Sequence, residues 1–110
     1  MPSKVVEADT GGKEVFETPY DKIGKITMIE VDNQSASAIT ITIQDIFTPF
    51  PTDETPSPSE KTIDRKVITV AAGGEYHYKT DGYIEILGTC KVVASATDSA
   101  CKITICYEFE

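Results

Sequence analysis

Apolar and polar residues alternate along most of this chain with a period of two. The segment 39–44 is the clearest case, because Ile39, Ile41 and Ile43 fall on one face of an extended chain and polar residues on the other. The carboxy-terminal segment 101–109 repeats the pattern. A period of two indicates half-buried β-strands, and β-branched side chains suit a pleated surface. Further alternating segments lie at 3–8, 13–17, 25–32, 61–70, 75–79, 83–87 and 89–96.

Turn signals separate these segments and favour an all-β fold. They occur at Gly11-Gly12, Gly73-Gly74 and Asp81-Gly82. Many short strands with turns between them are typical of sandwiches and jelly rolls. We therefore predict an antiparallel β-sandwich, jelly-roll-like, of about eight strands. At 110 residues the chain has the size of a single domain, spanning 1–110.

The last two segments can be given a register as a hairpin. If 97–100 is the turn, the apolar residues of both strands fall opposite each other, as one buried face requires. The predicted pairs are Ala96 with Cys101, Ala94 with Ile103, Val92 with Ile105 and Cys90 with Tyr107. In this register Cys90 and Cys101 are small buried hydrophobes. Cys106 lies on the other face beside Lys91, either as a covered sheet residue or as a thiol activated by the ammonium group.

A proline-rich loop is predicted at 48–60. Its first twelve residues contain four prolines, which lack the amide donor that a sheet ladder needs. We expect Phe47 and Phe50 to anchor the start of the loop by aromatic burial, while the acidic tip with Asp53 and Glu54 projects. Long loops inside compact domains are usually functional or disordered.

The charge of the chain limits its partners. The formal net charge is −8 at pH 7, and such an excess disfavours nucleic acid and anionic membranes, since binding to phosphate draws on Lys and Arg. Between Ile26 and Glu60 there are six carboxylates and no Lys or Arg, so these charges are expected to be uncompensated. The sequence shows no secretion signal and no apolar run of about 20 residues, which predicts a soluble protein of the cytoplasm or of a virion.

Candidate chemistry is sparse. The single histidine, His77, is predicted to face away from Tyr76 and Tyr78, and no nucleophile motif accompanies it. The three cysteines lack the close ligand pairs of structural zinc sites, and the carboxylates lack the loop motif of a calcium-binding helix pair. A calcium site needs the fold to bring the loop carboxylates Asp53 and Glu54 to Asp32 or Asp45. We therefore predict a protein without enzymatic activity and without a cofactor or metal.

Several segments of the chain resemble small β-sandwich proteins of bacteriophage and archaeal virus particles. Segment 29–43 is similar to their strand, Asn-Ser-Ala turn and Thr-rich strand. Segments 67–76, 87–96 and 103–108 are similar to their later half. The resemblance implies a virion component, in capsid decoration or in the tail, that works by assembly and has no catalytic centre.

The function predicted from these features is that of a structural assembly protein. Its partners would be further copies of itself, a capsid or tail protein, or both, with sheet edges as additional contacts. The candidate interface residues are Phe50, Asp53, Glu54, Tyr76 and Tyr78. The alternative is a small β-sandwich module that binds a ligand or carbohydrate on tyrosine platforms, for which the candidates are Tyr20, Tyr76, Tyr78 and Tyr83.

Overall fold

The computed structural model describes residues 2–110, and all side chains in that range except those of residues 80–83. Over these residues the chain forms eight strands and no helix. The strands are β1 (Ser3–Ala8), β2 (Lys13–Glu17), β3 (Gly24–Asn33), β4 (Ile39–Phe47), β5 (Lys61–Val70), β6 (Glu75–Ile86), β7 (Thr89–Ala94) and β8 (Asp98–Phe109). They form a first sheet in the order β1-β8-β3-β6 and a second sheet in the order β2-β7-β4-β5.

The strand pairing is nested. The first strand pairs with the last, β2 with β7, β3 with β6 and β4 with β5, all antiparallel. Two further ladders, β3 with β8 and β4 with β7, complete the two sheets. This nesting is the jelly-roll topology, in which a long antiparallel hairpin is rolled into two packed sheets. The predicted fold class is therefore confirmed.

The core lies between the sheets and is built by the alternation visible in the sequence. Ile39, Ile41 and Ile43 of β4 are at most 1% exposed, and Ile103 and Ile105 of β8 face them from the other sheet at 0%. Burying one such side chain contributes about 1.5–3 kcal/mol. Because polar residues occupy the alternate positions, a slip of one residue in register would place them in the core.

The hairpin predicted from 89–96 and 101–109 is wrong. β7 lies in the second sheet, where Ala94 pairs with Ile41, whereas β8 lies in the first sheet, where Ile103 pairs with Val31. The residues 95–97 cross between the sheets. The apolar matching that suggested a hairpin arises because both strands turn their apolar faces into the same core from opposite sides. Periodicity identifies the buried face of a strand but not its hydrogen-bonded neighbour.

Two other boundaries differ in detail from the prediction. The segments 75–79 and 83–87 are parts of one strand, β6. The turn predicted between them at Asp81-Gly82 is wrong, because β6 continues as a strand through these residues. The turns at Gly11-Gly12 and Gly73-Gly74 are confirmed, and Gly12 and Gly73 have φ angles of 84° and 69° that favour glycine.

A buried asparagine fastens the turn between β3 and β4 to the end of β5. The Nδ2 group of Asn33 donates hydrogen bonds to the carbonyl oxygens of Ser37, Val70 and Ala71 at 3.0, 3.1 and 3.2 Å. Its Oδ1 accepts from the backbone amide of Ser35 at 3.1 Å. Because the side chain is fully buried, these bonds offset the cost of removing its amide group from water.

The cysteines occupy different environments from those that the hairpin implied. Cys90 and Cys101 are buried, as predicted, but in opposite sheets. Burial and the charge of Asp45 raise the pKa of Cys90 to about 12, and burial raises the pKa of Cys101. Cys106 pairs with Ser3 and Met28 in the first sheet, so the predicted proximity to Lys91 is wrong.

We expect native alkylation to distinguish the three thiols. At pH 8 a maleimide should add rapidly to Cys106 alone, because the other two thiols stay protonated and buried and only the thiolate reacts. Intact-mass spectrometry should show one adduct in buffer and three in denaturant. Rapid uptake of three labels by the folded chain would contradict the buried positions of Cys90 and Cys101.

Candidate functional site at the loop end of the sandwich

Alternate connections of the jelly roll meet at one end of the sandwich. The loops that join β2 to β3, β4 to β5 and β6 to β7 all lie there, because successive antiparallel strands reverse direction. We call this the loop end. It contains the proline-rich segment 48–60, whose predicted position between two strands is confirmed.

A buried carboxylate organises the loop end. Asp45 is the last inward-facing residue of β4 before Phe47, and it is 0% exposed. It accepts hydrogen bonds from the backbone amides of Leu87 and Gly88 at 2.9 and 3.0 Å, and from Arg65 Nη2 at 2.8 Å. The β6–β7 connection and β5 are thereby both held against β4. Asp45 was expected to be an uncompensated charge, and the ion pair with Arg65 corrects that expectation.

Backbone contacts complete the framework of the loop end. The amide of Thr18 donates to the carbonyl of Gly88 at 2.9 Å, and Ile23 and Glu110 exchange two backbone hydrogen bonds of 2.7 and 2.9 Å. Gly88 packs so closely on β4 that a Cβ there would overlap the carbonyl oxygen of Ile46. The β2–β3 loop, the β6–β7 connection and the end of β8 therefore have fixed relative positions.

This framework presents large apolar side chains to solvent. Tyr20 is 89% exposed, Phe50 71%, Leu87 48% and Ile23 38%. The rings of Tyr20 and Phe50 meet edge to face with centroids 6.0 Å apart. Together with Pro49 and Phe47 they line a cleft of about 400 Å³. We call Tyr20, Ile23, Pro49, Phe50 and Leu87 the apolar patch.

Acidic residues surround the apolar patch. The loops 18–23 and 48–60 carry four carboxylates and one lysine. Glu17 and Glu60 line a second depression that adjoins the cleft. Asp53 and Glu54 lie exposed in a turn that is closed by the Thr52 amide donating to the Thr55 carbonyl and the Thr55 amide donating to Thr52 Oγ1, each at 3.0 Å. The site is thus apolar at its centre and negative at its rim.

The structure divides the five predicted interface residues into two groups. Phe50, Asp53 and Glu54 lie at the loop end. Tyr76 and Tyr78 pair with Val31 and Ile29 towards the other end, about 20 Å away at 3.3 Å per residue. Phe50 was expected to be buried as an anchor, which is wrong, because only Phe47 is partly buried and Phe50 stands in solvent.

Tyr76 and Tyr78 share one face, as predicted, but only Tyr76 is partly buried, whereas Tyr78 is 39% exposed. Their rings stack at 6.3 Å with an interplanar angle of 2°. Tyr76 packs against the core, and the ammonium group of Lys66 lies 4.7 Å from the centre of the Tyr78 ring. These contacts close the seam between β5 and β6, which explains the tyrosines as structural residues. Tyr83, a further candidate platform, lies outside the described side chains.

His77 faces outward from the first sheet, opposite to the tyrosines as predicted. Its Nδ1 lies 2.9 Å from Glu30 Oε1, and the imidazole is 65% exposed. Among the described side chains, no hydroxyl or thiol forms a hydrogen bond with this imidazole. The pair lies in an open depression of about 310 Å³ on the outer face of the first sheet, which Asp32, Glu75 and Lys102 also line.

The metal hypotheses find no support in the described part of the chain. No group of three or more His, Cys, Asp or Glu side chains is close enough there to hold an ion. Asp45, one of the carboxylates considered for calcium, is engaged by Arg65 and two backbone amides. No helix within residues 2–110 has the length and apolar character to cross a bilayer.

Comparisons with protein-family models, with curated proteins and with solved structures found no match to this chain. The site is therefore interpreted from its own residues. Sequence reasoning named Phe50 and Tyr20 but missed Ile23 and Leu87, because each is a single apolar residue beside a strand end. It also missed the ion pair of Asp45 with Arg65, since these residues lie in different strands.

The carboxylate of Asp45 is expected to be a main determinant of stability at the loop end. Asp45→Asn removes the charge that balances Arg65 and places an amide opposite the donors of Leu87 and Gly88. We expect a loss of about 3 kcal/mol in the free energy of unfolding, the lower end of the cost of breaking a buried ion pair. Urea denaturation measures this. Asp64→Asn, at an exposed carboxylate of β5, is the control and should change stability by less than about 0.5 kcal/mol.

Proposed function

We propose that this protein is a non-enzymatic assembly protein that acts through protein–protein contacts, as a capsid-decorating or tail-associated component of a virus particle. The observation that carries the proposal is the apolar patch. Soluble monomers rarely expose large contiguous apolar surfaces, and a patch with a polar rim marks an interaction site. Here large side chains from three connections converge on one rigid platform.

The jelly-roll fold is compatible with this role. The architecture occurs in viral capsid proteins, and also in lectins and cupins, so the fold alone does not decide among them. The virion role rests on the resemblance of segments 29–43, 67–76, 87–96 and 103–108 to small virion sandwiches. A decorating protein needs a stable core and a docking surface, and the buried core and the exposed apolar patch of this chain support such a role.

The sheet edges are less suited to assembly than the loop end. Each described ladder to an edge strand contains a register shift, at Glu7/Ala8, Glu14/Phe16, Ile26/Met28 and Ile43/Gln44. The edge strands also carry charged residues such as Lys4, Lys13 and Arg65. Bulges and charges at edges oppose pairing with another chain. We therefore assign the main contact to the apolar patch.

A second candidate function is the binding of a small ligand or carbohydrate. It is favoured by the cleft beside Tyr20 and Phe50, whose volume of about 400 Å³ lies within the range of ligand pockets. Exposed aromatic rings offer stacking faces for a sugar. A glycan-array signal that is lost in Phe50→Ser would favour this function over assembly.

Substitutions in the apolar patch test the assembly function. Phe50→Ser and Leu87→Ser should each weaken binding to particles of the virus whose genome encodes this protein, by about tenfold or more. The reason is that buried aromatic and aliphatic anchors dominate interface energies. Binding is measured by co-sedimentation of the purified chain with particles depleted of it. Val5→Ser, at a residue of β1 that is 58% exposed, is the matched control and should bind normally. Equal binding by all variants, or absence of the chain from purified particles, would reject the proposal.

The acidic rim should determine how salt affects this association. Asp53→Lys combined with Glu54→Lys reverses two exposed charges without touching the core. If the partner surface is basic, the variant should associate more slowly at low salt, and its rate should no longer fall as salt rises. Association rates at two or more salt concentrations measure this. An unchanged salt dependence would show that these carboxylates stay in solvent, outside the contact.

A further inference from the structure

The two outer faces of the sandwich differ in their charge pattern. On the first sheet, one row across the strands consists of Glu7, Lys102, Asp32 and Glu75. An ion pair already forms there within the chain between Lys102 and Glu7, and His77 Nδ1 lies 2.9 Å from Glu30 Oε1. The outer face of the second sheet has a different composition, with threonine and valine in most of its central positions.

Three rows cross the outer face of β7, β4 and β5. Listed from the end of the sandwich that contains the β3–β4 turn towards the loop end, the rows are Val93-Thr42-Val67, Lys91-Gln44-Asp64 and Thr89-Ile46-Thr62. Val67, on the edge strand β5, is 58% exposed. The middle row carries opposite charges at its two ends, with Gln44 Nε2 donating to Asp64 Oδ1 at 3.3 Å.

We propose that a second copy of this chain docks on the outer face of β7, β4 and β5, with the two-fold axis in the interface and parallel to β4. The inference rests on the proposed assembly function and specifies its self-association. A rotation of 180° about this axis keeps each row at its own height and exchanges β7 with β5. Lys91 then faces Asp64 of the second copy, and Val93 faces its Val67. Each charge pair occurs twice, because the contact is isologous.

Each of three other symmetric arrangements places like charges opposite each other. An axis between β7 and β4 sets Glu14 of β2 against Asp64 of the second copy. A two-fold axis that lies in the interface, perpendicular to the strands and through the middle row, sets Lys91 against Lys91 of the second copy. On the first sheet, an axis between β8 and β3 sets Lys102 against Asp32 of the second copy but also Glu7 against Glu75, and Lys102 is already paired with Glu7 of its own chain. Like charges placed directly opposite each other disfavour a complex. The axis along β4 is therefore selected among these by charge.

The area of the contact predicts a weak dimer. Three strands at about 4.8 Å spacing and nine residues at about 3.3 Å give a flat footprint of about 400 Å² per copy. Standard interfaces bury about 800 Å² per partner. We therefore expect a weak dimer that forms where the chain is locally concentrated.

The arrangement has a consequence for the loop end. Because the axis runs along the strands, both copies direct their loop ends to the same side. Two apolar patches can then meet one particle surface together, and binding of the first copy raises the effective concentration of the second site. Self-association and partner binding would thus use separate surfaces of the chain.

Charge exchange across the interface provides the test. Sedimentation equilibrium of the full chain from about 10 µM to 1 mM should show a monomer–dimer equilibrium. Lys91→Glu and Asp64→Lys should each raise the dissociation constant by about tenfold or more, since each variant places like charges opposite each other. The double variant, Lys91→Glu with Asp64→Lys, should restore dimerisation.

A second pair of variants checks the axis. Thr42→Lys places an ammonium group against its own copy and should abolish the dimer, whereas Thr104→Lys, at the equivalent central position of the first sheet, should not. A monomer at all concentrations, a dimer insensitive to Thr42→Lys, or failure of the double variant to recover would each overturn the inference. If a strictly monomeric chain binds particles, the assembly function stands and the dimer is rejected. If the chain forms the dimer but binds no particle, the dimer stands and the assembly function is rejected.

Discussion

The carboxylate of Asp45 is the interaction on which the loop end depends. It occupies an inward position of β4 that alternation would assign to an isoleucine, and it is fully buried. A buried charge is tolerated only when it is paired and hydrogen-bonded, and here Arg65 and the amides of Leu87 and Gly88 provide both. These partners come from β5 and from the β6–β7 connection. The polar group therefore fixes elements that apolar packing alone would leave free to slide.

The exposed patch follows from this arrangement. Leu87 cannot turn inward while its amide is bound to Asp45 and Gly88 is pressed against β4. Tyr20 and Phe50 lie beside it on exposed loops, where their rings meet edge to face. Apolar area left in water in this way has a cost of roughly 25 cal/mol per Å², which docking would recover. The same interaction that stabilises the loop end thus maintains a surface suited to a partner.

Alternation in the sequence was sufficient to locate most strands and their buried faces. β1, β2 and β5 have the predicted bounds, because a period of two is a local property that neighbouring residues reveal. The partner of β7 was not predictable in this way, since its apolar face fits equally well beside β8 or opposite it. The same limit applies to the site. Phe50 stood out within a proline-rich loop, whereas Leu87 gains its importance from Asp45, 42 residues away in the chain.

The charge distribution also separates the two contacts of the proposed assembly function. The loop end is acidic, so two copies meeting there would bring carboxylates together, and a basic partner is the favoured occupant. The outer face of β7, β4 and β5 has opposite charges at the two ends of one row, which makes it complementary to itself about an axis along β4. In the nested topology this face runs along the strands, whereas the loop end lies at the ends of the strands. In the proposed dimer, a pair of copies would therefore associate through their sheets and still present both apolar patches to one surface.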